Sequence, residues 1–137
     1  MADRESGSGA FAFASGLAAI ATVLELLDQG AHIVATDDSY GGTFRLLERV
    51  RKRSAGLAFS LVDLTDPAAF ATAIRSDTRL VWIETPTHPL PKIVDRAAAC
   101  GIARKPGPLD RVANPLASPL LHPPPLSRPA TVPPAGP

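Results

Sequence analysis

Proline placement sets the first limit on what this chain can fold into. Of its 15 prolines, four precede residue 100 and eleven lie at or after Pro106. Proline fixes φ and has no backbone N–H, so it interrupts helices and central strands alike. Regular structure is therefore expected over about residues 10–105, after a flexible start over 1–9. Residues 106–137 are expected to form a disordered proline-rich tail.

Within 10–105 the apolar residues alternate between two spacings. Leu17, Ile20, Leu24 and Leu27 recur in steps of three and four, the spacing of one helical face. Ser15 is the expected N-cap and Gly30 the expected stop. Ile33–Thr36 is a short apolar run of strand length, followed by the turn-rich Asp37-Asp38-Ser39-Tyr40-Gly41-Gly42-Thr43. A second helix is expected from Thr43 to about Ser54, with Phe44, Leu47 and Val50 inward. Ala58–Val62 reads as a strand. Asp66-Pro67 opens a third helix, cap first and proline at the first helical position, with Phe70, Ala73 and Ile74 inward. Leu80–Ile83 is another buried strand, and a last helix is expected over Val94–Lys105.

Strands that are apolar on both faces and alternate with helices imply an α/β fold, a parallel sheet covered on each side. In such sheets ligands sit beyond the carboxyl ends of strands and at helix N-termini. Three polar clusters fall there. Ser15-Gly16-Leu17 opens a helix, where free amides and the helix dipole suit a phosphate, or where serine is an ordinary cap. Tyr40 before the Gly41-Gly42 pair offers a flat ring for stacking, or is a turn residue. Arg45 suits a carboxylate, or is one of many solvated cations on its helix. Glu84 and His88 lie in a proline-stiffened stretch and suggest acid–base work or a metal, but two residues at this spacing make no ligand set, so a metal is not expected.

The remaining composition narrows the setting. A net charge of +1 favours neither nucleic acid nor a membrane surface as partner. The single cysteine, Cys100, forms no internal disulfide, which fits a reducing, cytoplasmic compartment. No Gly-x-Gly-x-x-Gly turn supports a dinucleotide-binding module.

Three segments together resemble the Cys/Met-metabolism family of pyridoxal-phosphate (PLP) enzymes, which includes cystathionine gamma-lyase, cystathionine gamma-synthase, cystathionine beta-lyase and methionine gamma-lyase. They are Ala12–Ala19, Asp37–Thr43, and Leu80-Val81-Trp82-Ile83-Glu84-Thr85-Pro86-Thr87, in the family's order and separation. The resemblance implies part of the large domain of the type I aminotransferase-like PLP fold, parallel strands with flanking helices. It implies PLP as cofactor, a small sulfur amino acid as substrate, chemistry at its beta or gamma carbon, and a homo-oligomeric parent. By position, the amides of Gly16 and Leu17 would hold the PLP phosphate, and Tyr40 would stack on the pyridine ring and assist proton movement. Arg45 would stand near the substrate, and Glu84 would lie in the loop lining the cofactor.

The chain also departs from the family pattern. His88 stands where the family has an asparagine near the cofactor's phenolic oxygen, and could still donate a hydrogen bond. Ala113 stands where the family has the aspartate that pairs with the pyridinium nitrogen, and Pro108 and Pro115 are expected to spoil that strand. The Schiff-base lysine of the family has no counterpart among these residues. The chain thus reads as a truncated piece of such an enzyme, inactive alone, and the tail as a damaged end or a polyproline recognition segment.

Overall fold

The computed structural model describes residues 11–87, 91–103 and 109–113. Helix α1 (Gly16–Leu24) begins as its sequence implies: Ser15 is extended at φ −156° and ψ 159°, and its Oγ accepts from the Ala18 amide at 3.1 Å. This satisfies one of the amides that a first helical turn leaves without a partner. Ile20 and Leu24 are buried, whereas Leu17 in the first turn is exposed. The helix stops earlier than Leu27, and Gly30, at φ 80°, turns the chain into β1 (His32–Thr36), where every residue is buried.

The next helical stretch is continuous but not uniform. α2 (Gly41–Arg45) passes into a π-helical segment, Leu46–Arg51, and ends as α3 (Lys52–Ser54). This changes the inner face expected from the sequence. Leu47 is buried, but Phe44 and Val50 are 41% and 48% exposed, and Leu46 packs against the core instead. The cause is the wider turn: i→i+5 bonding rotates successive residues away from the 3.6-residue spacing that placed Phe44, Leu47 and Val50 together.

β2 (Ala58–Val62) follows, then α4 (Pro67–Ala73), capped by Asp66, whose Oδ1 accepts from the amides of Ala68 and Ala69 at 2.8 and 3.2 Å. β3 (Thr78–Glu84) is the longest strand described, and α5 (Arg96–Ala103) starts where Asp95 Oδ1 accepts from the Ala98 amide at 3.0 Å. β4 (Leu109–Ala113) corrects an expectation, because it lies inside the segment expected to lack regular structure. Pro108 and Pro115 flank the five paired residues rather than interrupting them, and an edge position needs few ladder donors. The sheet described therefore has four strands, not three.

All pairs are parallel and the strand order is β2-β1-β3-β4. The chain goes outward from β1 to β2, crosses back past β1 to β3, and continues to β4. This reversal places the switch point at the carboxyl ends of β1 and β3, where open α/β sheets bind ligands. Register pairs Thr36 with Val62 and Glu84 with Ala113, so these four residues mark that edge.

Alternation along the strands divides the core between two faces. Ile33, Ala35, Leu80 and Trp82 pack with Ile20, Leu24 and Leu47 on the α1 and α2 side. Val34, Val81 and Ile83 pack with Phe70, Val94 and Ala99 on the α4 and α5 side. At the opposite, amino end of β1, buried His32 places Nδ1 2.8 Å from Thr78 Oγ1 and Nε2 2.9 Å from Ser60 Oγ. Burial, then the nearby Arg75 guanidinium, holds its imidazole below the usual histidine range. No helix among the described residues is long and apolar enough to cross a membrane.

Candidate functional site

Glu84 ends β3 and shares the face of Trp82, two residues earlier, so its carboxylate points toward the α1 and α2 side. It is 4% exposed and fully engaged. Oε2 accepts from the Tyr40 amide at 2.7 Å; Oε1 accepts from the Thr43 hydroxyl at 2.8 Å and the Trp82 indole N–H at 3.0 Å. A buried carboxylate is tolerable only with such donors. The glutamate is thus an anchor at the strand end, not a free acid–base group in a loop.

Behind it, Thr36 locks the ends of β1 and β3 together. Its Oγ1 accepts from the Glu84 amide at 3.1 Å and donates to the Trp82 carbonyl at 3.4 Å. The Ser39 hydroxyl donates to the Thr36 carbonyl at 2.5 Å and closes the turn that leads to Tyr40. Tyr40 emerges from this turn with its backbone fixed and its side chain 61% exposed. The ring lies against Gly42, where an added Cβ would come within 2.5 Å of Tyr40 Cε1. Gly42 therefore gives the ring room. Arg45 is exposed one turn on and reaches back, its Nη1 3.4 Å from where a Cβ on Gly41 would stand.

A second set of contacts ties the loop after β3 to the neighbouring strand ends. Lys92 Nζ donates to both oxygens of Asp37 at 3.1 Å and to Asp63 Oδ2 at 3.0 Å. Thr87 Oγ1 donates to Asp38 Oδ2 at 3.1 Å and accepts from the Lys92 amide at 3.0 Å, while the Thr87 amide donates to the Lys92 carbonyl at 3.1 Å. Asp63 is pulled down to about 2, first by the Thr65 hydroxyl and then by Lys92. Lys92 is in turn raised above its ordinary value, by Asp63 first and Asp37 second.

A family model described as Cys/Met metabolism PLP-dependent enzyme matches residues 1–129. The chain belongs to that family. Cystathionine beta-lyase of Coxiella burnetii is 49% identical over 124 residues, 90% of this chain and 32% of that protein. A probable cystathionine gamma-synthase of Herpetosiphon aurantiacus is 44% identical over 119 residues, 87% of this chain and 37% of that one. The crystal structure of cystathionine gamma-lyase from Lactobacillus plantarum, complexed with L-serine, superposes with a TM-score of 0.83 at 47% identity, covering 86% of this chain and 31% of that one. The chain thus spans about a third of the length of the relatives it matches.

The family is PLP-dependent, and the features described fit two ends of that cofactor. Gly16 and Leu17 are exposed, and as the first helical residues their amides have no intrahelical carbonyl to bond. A Cβ added at Gly16 would meet nothing within 4 Å, so the helix start is open to an anion. The Tyr40 ring is exposed and preset at the switch point, and α1 packs against α2, the helix that Tyr40 precedes. His88, expected near the cofactor, lies outside the described residues. Ala113 pairs in register with Glu84, which puts an alanine at the carboxyl end of β4.

Sequence reasoning missed the roles of Trp82, Thr43 and Lys92. For Trp82 a signal existed: it is two residues from Glu84 on one strand, hence on one face. For Lys92 no local pattern pointed to Asp37 and Asp63.

Proposed function

We propose that this chain carries the phosphate-holding helix start and the ring-stacking loop of a PLP-dependent enzyme acting on a sulfur amino acid. The reaction is elimination or replacement at the beta or gamma carbon, in the manner of a cystathionine lyase or synthase. Bound PLP supplies the electron sink that such chemistry needs. The chain's own residues do the holding. The Gly16 and Leu17 amides grip the phosphate, and Tyr40 covers one ring face and holds a proton at its hydroxyl. Arg45 receives the substrate carboxylate, and His88 donates to the phenolic oxygen. The observation that carries the reading is Tyr40: an exposed ring with a fixed backbone at the β1/β3 switch point of a family member.

A second reading concerns the chain by itself, as a non-catalytic remnant that binds phosphate or PLP weakly or associates with an intact subunit. Ala113 supports it, because an alanine ends β4 where the resemblance implies the aspartate that pairs with a pyridinium nitrogen. Among the described lysines, Lys92 supports it as well, since it is held charged between Asp37 and Asp63; Lys52 makes an exposed pair with Glu48.

Titration of the full chain with PLP, followed by Trp82 fluorescence, tests the reading. The expected result is saturable quenching, competed by inorganic phosphate and weakened about tenfold or more in Tyr40→Ala, the loss of one stacking ring. Quenching that is indifferent to both phosphate and Tyr40→Ala would overturn it.

A further inference from the structure

Glu84 gives more than neutral packing would require. Among the described residues its two oxygens divide their partners unequally: Oε2 serves the Tyr40 amide, while Oε1 serves Thr43 and Trp82. Two of these donors are N–H groups, which cannot reverse their polarity, and each meets a different oxygen. The Thr43 hydroxyl can rotate to donate or accept. A carboxylate satisfies both N–H donors at once, whereas the carboxamide of glutamine of the same shape would face one of them with its own NH₂. Burying a charge is costly, and a packed apolar residue would close the strand end without that cost. The charge is matched instead to the main chain of Tyr40, whose ring then rests on the bare Cα of Gly42.

We infer that Glu84 is a positioning residue: its carboxylate fixes the Tyr40 main chain, so that the exposed ring is set for stacking before any cofactor arrives. It acts through Tyr40 and touches no ligand itself. The inference deepens the reading above and rests on it for the identity of the stacked ring, but the Glu84–Tyr40 lock is testable without cofactor.

The test compares the full chain with Glu84→Met and Thr43→Val. Glu84→Met removes both acceptor oxygens at similar length, so the Tyr40 amide loses its partner; a glutamine would not do, because its carbonyl can turn to that amide while its NH₂ faces the Thr43 hydroxyl. Amide hydrogen exchange at Tyr40, read by mass spectrometry or NMR, is expected to quicken on the order of tenfold to a hundredfold in Glu84→Met, the loss of one charge-assisted bond. Thr43→Val should leave Tyr40 exchange within about twofold even where it lowers the melting temperature, since the Oε2 bond survives. PLP quenching of Trp82 should weaken in Glu84→Met and hold in Thr43→Val. Equal exchange in all three chains overturns the lock. Faster exchange in Glu84→Met with unchanged PLP quenching keeps the lock and overturns its use for the cofactor. Should wild type show no PLP quenching, the exchange result still decides the lock, and the failure belongs to the functional reading.

Discussion

Lys92 Nζ stands 3.0 Å from Asp63 Oδ2, which ties the loop after β3 to the end of β2 across the sheet. Asp63 is depressed to about 2, so its share of stability is present above the ordinary carboxylate value of 3.8 and is lost as pH falls through 2. Lys92 is raised, so its share is present below 10.5 and is lost only as pH rises through its higher folded value. Lys92→Met should therefore lower the melting temperature most between these limits. The difference from wild type should shrink toward pH 2 and again in strong alkali. Melting curves across that range check this, and a difference independent of pH would assign the loss to packing.

His32 works in the opposite direction on the acid side. Its folded imidazole is held below 6.5, chiefly by burial, so folding disfavours its protonation. Its penalty is absent above 6.5 and grows as pH falls from there toward the folded value. Wild type should lose melting temperature as pH falls below 6.5, and His32→Gln should flatten that slope over the same interval. Thermal melts of both chains at several pH values measure it. A slope unchanged in His32→Gln would place the acid sensitivity elsewhere.

Gly42→Ala should separate stability from binding. Alanine in a helix is about 1 kcal/mol better than glycine, and the atom it meets, Tyr40 Cε1, belongs to an exposed ring that can swing aside. Melting temperature should hold or rise while PLP quenching of Trp82 weakens, because the ring leaves its resting place. Both readings come from one preparation. Unchanged quenching would mean that the ring's position against Gly42 does not matter to the cofactor.

Asp66→Ala removes a side chain that bonds two amides at the start of α4, the helix that buries Phe70. A cap of this kind is worth about 1 kcal/mol, and urea titration should show a loss of that size with no change in PLP quenching. A loss several times larger would mean that α4 depends on Asp66 beyond its cap.

Legibility followed the range of each interaction. The caps at Ser15 and Asp66 and the strands at Ile33, Ala58 and Leu80 were readable because cap chemistry and apolar runs are local signals. The π-helical segment was not, since nothing in Leu46–Arg51 marks i→i+5 bonding, and the inner face was misassigned with it. β4 was missed for a different reason: proline density was weighed over a long stretch, while the ladder needs only Leu109–Ala113, which hold no proline. Of the proposed site, the turn at Tyr40 and the helix start at Gly16 and Leu17 were visible as local chemistry. The anchoring of Tyr40 by Glu84 was not, because the partners lie 44 residues apart and only the β1/β3 pairing brings them together. The same holds for Lys92 and Asp37, which are 55 residues apart.

The central claim is that this chain cradles PLP without fixing it covalently. Borohydride reduction of the full chain with PLP, followed by its intact mass and absorbance, tests that most directly. The account predicts an unchanged mass and no cofactor absorbance left on the protein after gel filtration. A chain that gains the mass of one reduced cofactor, mapped to Lys52, Lys92 or Lys105, would contradict it.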